Sequence, residues 1–452
     1  MKAINPATNE IIKEYEEYTS ANISQIINEV QAEYLAWRKV SFAERAKLMR
    51  KVAEILRRDK DIYARIMTSE MGKIIAESRA EIEKSAWVCD YYADNAEKIL
   101  ADEIIQTDAG RSFVVFQPLG IVLAVMPWNF PFWQVFRFAA PSLMAGNAGV
   151  LKHASNVPGC ALAIESIFQK AGFPKNLFRT LLIGARQVES VIKHEHIRAV
   201  TLTGSEPAGM QVASIAGREL KKTVLELGGS DPYIVLEDAE INACAKTAVT
   251  ARMINVGQSC IAAKRFIVVE SRLKEFEEKH TQLMKSLKIG DPTAEDTQVG
   301  AMARMDLLEE LDEQVQKSIK LGAKLLCGGK RSEGKGAFYL PTILTNVKKG
   351  MPVYSEETFG PVSAIIPVKD TCEAIEVAND SSFGLGGSVW SQDLKKAEDV
   401  ARQIESGAVF VNGMTKSDPR LPFGGIKRSG YGRELSHYGI KEFVNIKTIW
   451  IA

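Results

Sequence analysis

The sequence predicts an α/β protein with two large domains, each built on a mainly parallel sheet. Its 452 residues exceed what one hydrophobic core usually supports. Near-continuous apolar segments alternate with helical segments from residue 121 to residue 227, and the alternation starts again at residue 232. Helices cover both faces of a parallel sheet, so its strands are apolar almost throughout. The two series therefore predict two separate sheets.

The order of elements follows from these patterns. Residues 22 to 100 have helical apolar spacing and predict several amphipathic helices. The first series predicts strands at 121–127, 148–152, 177–183, 198–204 and 222–227, with helices at 158–171, from about 186, and at 206–218. The second predicts strands at 232–236, 265–270, near 325, 343 and 365, at 385–390 and at 408–412, with helices at 239–254, 271–287, 304–322, 371–379 and 393–405. A last strand, 443–451, is expected to pair with strand 111–117 or with another subunit.

Composition and charge exclude several classes of function. The chain is 46% hydrophobic and 25% charged, which is ordinary for a soluble globular protein. Its formal net charge of +1 indicates neither nucleic acid nor an anionic membrane as a partner. No secretory signal is evident, and the six scattered cysteines form no Cys-x-x-Cys pair, which predicts a cytoplasmic protein with reduced thiols. His194 and His196 have no third ligand near them, so no metal site is expected.

Residues 112–136 carry no charge and are long enough to cross a membrane. Pro118, Pro127 and Pro131 interrupt them, however, and polar side chains are interspersed. The pattern favours a buried strand, a loop and the start of a helix over a membrane helix.

Cys260 lies in the segment NVGQSCIAAKR, between a Gly-Gln-Ser turn and two alanines. The small neighbours leave space for a ligand, and Lys264 and Arg265 follow closely. Positive charge and backbone N–H groups lower the pKa of a thiol, so this context favours a reactive nucleophile. The alternative is a buried structural thiol, which is the usual state of a free cysteine.

Two further polar residues end apolar strands. Glu226 ends a strand just before Gly-Gly, where burial would raise its pKa toward the range of a general base. Asn129 is held between two prolines and is placed to donate to a developing oxyanion. The alternative for Glu226 is a carboxylate that caps a turn, and the alternative for Asn129 is an ordinary turn residue.

A third feature is the strand-to-helix turn at Gly204 and Ser205. The N-terminus of the following helix offers free N–H groups and a dipole to a pyrophosphate, although the glycines do not match G-x-G-x-x-G. Lys152 ends the preceding apolar strand and Ser155 follows it, where both could meet a nucleotide phosphate or ribose.

Together these segments resemble the aldehyde dehydrogenase superfamily. The motifs of that superfamily occur in this chain in the same order and at about the same spacing, over essentially the whole length. They are PWNFP, KHAS, LTGS, LELGG, NVGQSC, EETFGPV and LPFGG followed by SGYGRE. GSDP after LELGG, and RSGYGRELS near the end, most resemble bacterial or archaeal succinate-semialdehyde dehydrogenases. The resemblance implies a Rossmann-like dinucleotide-binding domain at 1–103 and 119–228, a second α/β catalytic domain at 229–438, and a small β oligomerisation arm at 104–118 and 439–452.

The resemblance also implies a role for each polar residue. Cys260 would be the nucleophile, Glu226 the base, and Asn129 with the Cys260 N–H the oxyanion hole. The implied cofactor site is lined by Trp128, Lys152, Ser155, Gly184, Gly204, Ser205, Leu227, Glu357 and Phe359. The implied reaction is NAD(P)-dependent oxidation of an aldehyde to an acid through a Cys260 thioester, with no metal. Without the resemblance, Glu357 would be expected to be a solvated carboxylate beside Glu356.

Cofactor choice is expected to depend on Ser155. NAD-preferring relatives often carry Glu there, which bonds the 2′-hydroxyl and would repel a 2′-phosphate. Serine leaves room for that phosphate, and Lys152 is nearby. The sequence therefore predicts NADP as the preferred cofactor, with some use of NAD.

The substrate side is expected to lie on the helix after PWNFP. Phe130, Gln134 and Arg137 share one face, and relatives that oxidise semialdehydes carry an arginine at the spacing of Arg137. Arg137 would bind a substrate carboxylate, most simply that of succinate semialdehyde; the alternative is an ion pair with a carboxylate of the protein. The opposite wall is expected to be formed by Ser417, Arg420 and Phe423.

Two positions depart from those relatives. Ile254 stands where some have a second substrate-binding arginine, and Ala262 stands where some have a redox-active cysteine. Arg420 is the candidate replacement for the missing arginine.

Other functions remain open on the sequence alone. The chain could oxidise another small aldehyde, or pass the acyl group to CoA, although Glu226 favours water as the acceptor. A non-catalytic binding protein would be expected to lack Cys260, Glu226 or Asn129, and all three are present. The two candidate arm strands predict a homodimer or homotetramer.

Overall fold

A computed structural model describes all residues from 1 to 452. Up to residue 228 its elements are, in order, β1 (Lys2–Ile4), β2 (Ile11–Glu14), α1 (Ser20–Trp37), α2 (Phe42–Arg58), α3 (Lys60–Met71), α4 (Ile75–Ile99), β3 (Glu103–Ile104), β4 (Arg111–Pro118), β5 (Ile121–Met126), α5 (Trp133–Met144), β6 (Ala148–His153), α6 (Pro158–Lys170), β7 (Phe178–Thr180), α7 (Val188–Lys193), β8 (Ile197–Thr203), α8 (Glu206–Arg218) and β9 (Lys222–Glu226).

The second part of the chain has the same alternation. Its elements are β10 (Asp231–Val235), α9 (Ile241–Met253), β11 (Ala263–Val269), α10 (Glu270–Lys285), α11 (Met305–Lys320), β12 (Lys324–Cys327), β13 (Thr342–Thr345), α12 (Pro352–Ser355), β14 (Val362–Val368), α13 (Thr371–Asn379), β15 (Phe383–Gly384), β16 (Ser388–Trp390), α14 (Leu394–Ala401), β17 (Phe410–Val411), β18 (Ile426–Lys427), β19 (Gly430–Tyr431), α15 (Ser436–Lys441) and β20 (Val444–Ile451).

Local sequence explains where the first helices begin. The hydroxyl of Thr19 accepts a hydrogen bond from the Asn22 N–H, and Ser41 caps α2 in the same way with Glu44. Such capping satisfies N–H groups that a helix start otherwise leaves free. The apolar stripe of α1 is buried, as its spacing predicted.

The first sheet has the order β19-β9-β8-β5-β6-β7, and β9, β8, β5, β6 and β7 run parallel. Parallel strands place their carboxyl ends at one edge, where ligands bind in open α/β sheets. That edge receives the segments after β5, β6, β8 and β9, which contain the polar residues singled out above. β19, from near the end of the chain, joins the sheet antiparallel to β9, with Gly430 opposite Glu226.

The second sheet has the order β12-β13-β14-β11-β10-β16-β17 and is parallel except for β12. Its strand β11 begins three residues after Cys260, so the loop that carries Cys260 leads directly into the middle of this sheet. The two sheets have separate hydrophobic cores. The predicted α/β fold class with two parallel sheets is confirmed.

The third sheet contains the strands β20, β4 and β3. β20 pairs antiparallel with β4 from Val444–Pro118 to Ile451–Arg111. Of the two partners expected for the last strand, the chain's own β4 is therefore the one in the structure. Ile446, Trp450 and Ile451 on β20 are exposed.

Some elements differ from expectation. The hairpin β1–β2 has no apolar alternation and was not predicted; its register places Lys2 opposite Glu14, with an ion pair of 2.7 Å. Residues 112–136 form β4, β5 and the start of α5. None of the helices is both long enough and apolar enough to cross a membrane.

Candidate active site

Cys260 lies where two cavities meet. The first cavity has a volume of about 600 Å³ and the second about 690 Å³, and both are lined by Cys260 and Gln134. Other residues of the first cavity include Trp128, Asn129, Gly204, Ser205, Leu227, Glu357 and Phe359. Those of the second include Glu77, Lys84, Phe130, Arg137, Ile254, Ser417 and Phe423. A thiol at this junction can be reached by one ligand from each side.

The turn before the nucleophile has an unusual backbone. Asn255, Val256 and Gly257 all have positive φ, at 52°, 58° and 75°. For a β-branched residue such as Val256 this conformation is strained, so surrounding contacts must hold it. Arg252 donates to the Gly257 carbonyl at 2.5 Å, and Glu77 accepts from the Asn255 N–H at 2.9 Å. These contacts fix the loop that presents Cys260.

The thiol of Cys260 differs from the sequence-based expectation. Burial raises its pKa to about 12, although Lys264 and Arg137 act in the opposite direction. The Lys264 amine is directed to the carbonyls of Ser259, Cys260 and Ala262. The following residue, Arg265, is directed away to carbonyls of other segments. The expected lowering of the pKa is therefore wrong for this state of the site, because desolvation outweighs the nearby cations.

Asn129 is oriented by three hydrogen bonds. Its Nδ2 donates to the Gln258 carbonyl at 3.0 Å, and its Oδ1 accepts from Gln134 at 3.1 Å. Asn255 donates to its backbone carbonyl at 2.8 Å. An amide nitrogen carries two hydrogens, so one Nδ2 hydrogen remains for a ligand. The backbone N–H of Cys260 also has no protein acceptor.

Glu226 ends β9 as predicted, but it lines neither cavity. Its carboxyl group is buried, and neither oxygen has a hydrogen-bond partner in the protein. Burial raises its pKa well above the ordinary value, and the neighbouring Glu434 adds to the effect while Arg137 opposes it. Gly424 packs against it so closely that a Cβ there would lie 2.7 Å from Glu226 Oε1. The predicted rise in the pKa of Glu226 is therefore present in the structure.

The first cavity brings together residues from several loops and from α11. Glu357 accepts from the Gly229 N–H at 3.0 Å and lies 3.6 Å from the Lys264 amine. A Cβ on Gly228 would lie 2.5 Å from Glu357 Oε2, so a larger residue there would displace this carboxylate. Trp128 and Phe359 meet edge to face, with ring centroids 5.8 Å apart.

The remaining residues of the implied cofactor site do not line this cavity. Lys152 lies near the end of β6, and Ser155 and Gly184 follow β6 and β7 at the same edge of the first sheet. Ser155 is exposed, and burial lowers the pKa of Lys152. They form an open extension of the edge, beyond the cavity.

The second cavity contains most of the predicted substrate residues. Phe130, Gln134, Arg137, Ser417 and Phe423 all line it. Arg137 is in an ion pair with Glu434, bonds Thr203 at 3.3 Å, and lies 4.6 Å from the centroid of the Phe423 ring. The alternative considered for Arg137, pairing with a protein carboxylate, is therefore present.

Arg420 was expected on the opposite wall, but it lines neither cavity. Its guanidinium bonds both oxygens of Asp418, at 2.9 and 2.6 Å, and its side chain is 68% exposed. Asp418, two residues earlier in the chain, thus holds Arg420 at the surface. Ile254 contributes an apolar side chain to the second cavity.

Sequence reasoning missed several lining residues. Lys84 and Glu77 lie on α4; the ion-pair partner of Arg137, Glu434, was missed as well and lies in the RSGYGRELS segment outside both cavities. Glu77 and Lys84 are seven residues apart and therefore on one helix face, which is the only local signal. No group of three or more His, Cys, Asp or Glu side chains is arranged to hold a metal ion.

Comparison with known proteins identifies the class. The aldehyde dehydrogenase family matches residues 1–449, and the chain belongs to that family. The predicted fold and the prediction of an enzyme that oxidises aldehydes are thereby confirmed.

Similar proteins have narrower names. A probable succinate-semialdehyde dehydrogenase (NADP(+)) of Synechocystis is 53% identical over 449 residues, covering 99% of both chains. A succinate-semialdehyde dehydrogenase (NADP(+)) of Mycobacterium bovis is 49% identical over 452 residues, again covering 99% of both. A crystal structure of succinic semialdehyde dehydrogenase from Streptococcus pyogenes with NADP+ is 41% identical, with a TM-score of 0.98 and coverage of 100% of this chain and 99% of that one. The predicted likeness to this group is confirmed.

Proposed function

We propose that the chain oxidises succinate semialdehyde to succinate with NADP. The observation that supports this most directly is the position of Cys260 between two cavities, the second of which has two cations, Lys84 and Arg137, in its wall. A small aldehyde with a distal carboxylate fits such a cavity, because a buried anion needs cations near it. The names of the similar proteins point to the same substrate.

The first cavity and the open edge beside it fit a dinucleotide. The helix α8 begins at this edge, and a Cβ on Gly209 would lie 2.5 Å from Leu227, so glycine permits the close approach of helix and strand end. Trp128, Leu227 and Phe359 would hold the nicotinamide, Glu357 its ribose, and Ser205 the pyrophosphate. Lys152 and Ser155 would hold the adenosine end, with Gly184 beside them. When bound, the dinucleotide supplies a hydride acceptor.

Serine at position 155 supports NADP over NAD. Its hydroxyl can donate to a 2′-phosphate, and the site has no carboxylate at this position to repel one. Lys152 adds positive charge at the same edge. The NADP(+) in the names of the similar proteins agrees with this assignment.

In the first half of the reaction, Cys260 Sγ attacks the aldehyde carbon. The free Nδ2 hydrogen of Asn129 and the N–H of Cys260 would donate to the oxygen that becomes negative. The thiol must lose its proton before or during attack, because burial keeps it protonated at neutral pH. Binding of a positively charged nicotinamide beside it would favour the thiolate. The C–H bond of the resulting adduct would then break, with the hydride passing to the bound dinucleotide, and a Cys260 thioester would remain.

In the second half, a water molecule hydrolyses this thioester. Glu226 is the base that takes the proton of this water. Its carboxyl group must lose its own proton and turn toward the junction, since it now lies outside both cavities. Hydrolysis then becomes faster as the pH rises.

We infer from the same arrangement which function each part of the chain has. Residues 1–103 and 119–228 would bind the dinucleotide, residues 229–438 would supply the nucleophile, and residues 104–118 and 439–452 would form the arm. Exposed Ile446, Trp450 and Ile451 on the arm support association into a cytoplasmic homodimer or homotetramer. Light scattering measures the number of subunits, and a monomer would contradict the arm assignment.

An aldehyde panel with both cofactors tests the function. We expect the highest kcat/KM with succinate semialdehyde and NADP, a lower value with butanal, and free succinate as the product. Added CoA should not be converted to an acyl-CoA. Equal kcat/KM for succinate semialdehyde and butanal would refute the substrate assignment, and formation of succinyl-CoA would refute hydrolysis.

A further inference from the structure

One face of α4 contacts both segments that carry the reacting groups at the junction. Glu77 and Glu81 are four residues apart on this helix, so their side chains share that face. Glu77 accepts a hydrogen bond from the Asn255 N–H at 2.9 Å. Asn255 begins the turn of positive φ that leads to Cys260, so Glu77 holds the segment of the nucleophile.

The second glutamate holds the segment that carries Asn129. Glu81 accepts from the N–H groups of Phe132 and Trp133, at 2.9 and 3.0 Å, where α5 begins. A helix leaves its first N–H groups without partners, and a carboxylate satisfies them and interacts favourably with the helix dipole. Glu81 thereby fixes the start of α5, just after Asn129.

Lys73 connects α4 to the Asn129 segment a second time. Its side chain is fully buried, it forms an ion pair with Glu81, and its Nζ lies 3.8 Å from the centroid of the Phe130 ring. Phe130 directly follows Asn129. The ammonium group therefore contacts both the helix and the residue next to the oxyanion donor.

The two segments are also bonded to each other. Asn255 Nδ2 donates to the Asn129 carbonyl at 2.8 Å and to the Gln258 carbonyl at 3.1 Å. Asn129 Nδ2 donates to the same Gln258 carbonyl at 3.0 Å. A shift of either segment would therefore turn the remaining Nδ2 hydrogen of Asn129 relative to Cys260 Sγ.

We propose that Glu77 and Glu81 are positioning residues, which together align the amide of Asn129 with the thiol of Cys260 for attack on an aldehyde. Each acts through the segment that it holds. A misplacement of about 1 Å can slow a reaction roughly 10²-fold, so this alignment matters for the rate. The inference deepens the proposed function and rests on it for oxidation through Cys260, but not for the identity of the aldehyde.

The hydrogen bond of Glu77 needs an acceptor oxygen but no full negative charge. Burial raises the pKa of Glu77 to about 7; Lys73 and the Asn255 N–H oppose this rise, and Glu81 adds to it. A protonated carboxyl group still has an oxygen that accepts. Glutamine keeps such an oxygen, whereas leucine has a similar shape and none.

The test compares Glu77→Leu, Glu77→Gln and the control Glu97→Leu. Glu97 is exposed on α4 and lines neither cavity. The first turnover of each full-length variant with NADP is followed by formation of reduced cofactor, with succinate semialdehyde and with butanal. In parallel, the alkylation of Cys260 by iodoacetamide is followed by mass spectrometry of its peptide. This alkylation develops no oxyanion, so it depends on the ionisation and access of the thiol and not on Asn129.

We expect Glu77→Leu to slow the first turnover about 10- to 100-fold with both aldehydes, and to change the alkylation rate less than about threefold. Glu77→Gln should recover most of this loss, and Glu97→Leu should behave as the parent. A merely structural role would slow both reactions together. Equal slowing of both reactions, or an unchanged first turnover in Glu77→Leu, would overturn the proposal.

Combination with Asn129→Ala tests whether Glu77 acts through Asn129. Residues that act through one interaction have non-additive effects, so Glu77→Leu should slow the first turnover of Asn129→Ala by less than about threefold. A further 10- to 100-fold loss would contradict the alignment. If Glu77→Leu does not fold, Lys73→Met combined with Glu81→Leu probes the other segment, since it leaves no buried charge without its partner. The same slow first turnover with near-normal alkylation is then expected, and its absence overturns the proposal.

The two aldehydes separate this proposal from the proposed substrate. If the parent oxidises butanal as well as succinate semialdehyde, the substrate assignment is wrong, and the variants assayed with butanal still decide the role of Glu77. If the parent prefers succinate semialdehyde and Glu77→Leu leaves its first turnover unchanged, the positioning role is wrong and the function stands.

Discussion

The two cavities that meet at Cys260 are built in different ways. The first is lined by segments that directly follow strands of one sheet, such as Trp128 after β5 and Ser205 after β8, and by α11 and residues 355–359. The second is lined by faces of α4, α5 and the end of α9, with Ser417 and Phe423 from a distant loop. The first cavity thus includes several turns at strand ends, whereas much of the second is formed by side chains from separate helices.

This difference indicates which part of the site can vary. Strand ends and glycine turns suit a ligand that is the same for every substrate, such as a dinucleotide. Their geometry follows from the sheet itself and therefore does not vary. Helix faces can exchange a side chain without moving the backbone. Selection among aldehydes is therefore expected to reside in the second cavity, and changes at the junction should affect every aldehyde equally.

The largest effect is expected at Glu226, which belongs to neither cavity. Glu226→Gln should lower steady-state turnover about 10²- to 10⁴-fold for charged and uncharged aldehydes alike, because the thioester loses its base. Rapid mixing should still show a burst of about one reduced cofactor per active site. Loss of the burst would mean that Glu226 acts before thioester formation.

Asn129→Ala should come next, with kcat lowered about 10²- to 10³-fold for every aldehyde, since one oxyanion donor is removed. The dissociation constant for NADP, measured by fluorescence titration, should stay within about threefold. An effect confined to succinate semialdehyde would place Asn129 in substrate selection and break the division between the junction and the second cavity.

Ser155→Glu addresses the first cavity and its open edge. The introduced carboxylate should lower kcat/KM for NADP about 10- to 100-fold by repelling the 2′-phosphate, while kcat/KM for NAD stays the same or rises. Steady-state assays with both cofactors measure the ratio. Ser155→Ala is the matched control, and it should cause a smaller loss with NADP.

The smallest effect is a pH dependence confined to the second cavity. Burial lowers the pKa of Lys84 to about 8; Arg137 and Lys416 act in the same direction, and Glu81 and Asp418 oppose them. Lys84 therefore loses its charge as the pH rises through about 8. The ratio of kcat/KM for succinate semialdehyde to that for butanal should fall about tenfold between pH 7 and pH 9.

In this ratio, ionisations that change kcat/KM equally for both substrates cancel, such as those of Cys260 and Glu226. In Lys84→Met it should not vary with pH. A ratio that stays constant in the parent enzyme would show that the charge of Lys84 has no part in selection between the two aldehydes.

Much of the fold could be predicted because its elements are locally encoded. The helix Glu206–Arg218 was predicted at 206–218, and β5, β6, β8 and β9 were each placed to within about two residues. The hairpin β1–β2 was missed since its two short strands show no regular apolar alternation. In the site, the strand-end residues Glu226 and Ser205 could be found by the same reasoning.

By itself the sequence determined the parallel sheets, the edge at which polar residues gather and the motifs that define the family. All of these depend on residues close together in the chain. Only the tertiary structure decided that Cys260 is a partly buried thiol with a raised pKa, that Arg137 faces Glu434, and that Lys84 faces Ser417. Desolvation and ion pairing depend on which distant side chains share a low-dielectric space, and folding alone brings those side chains together.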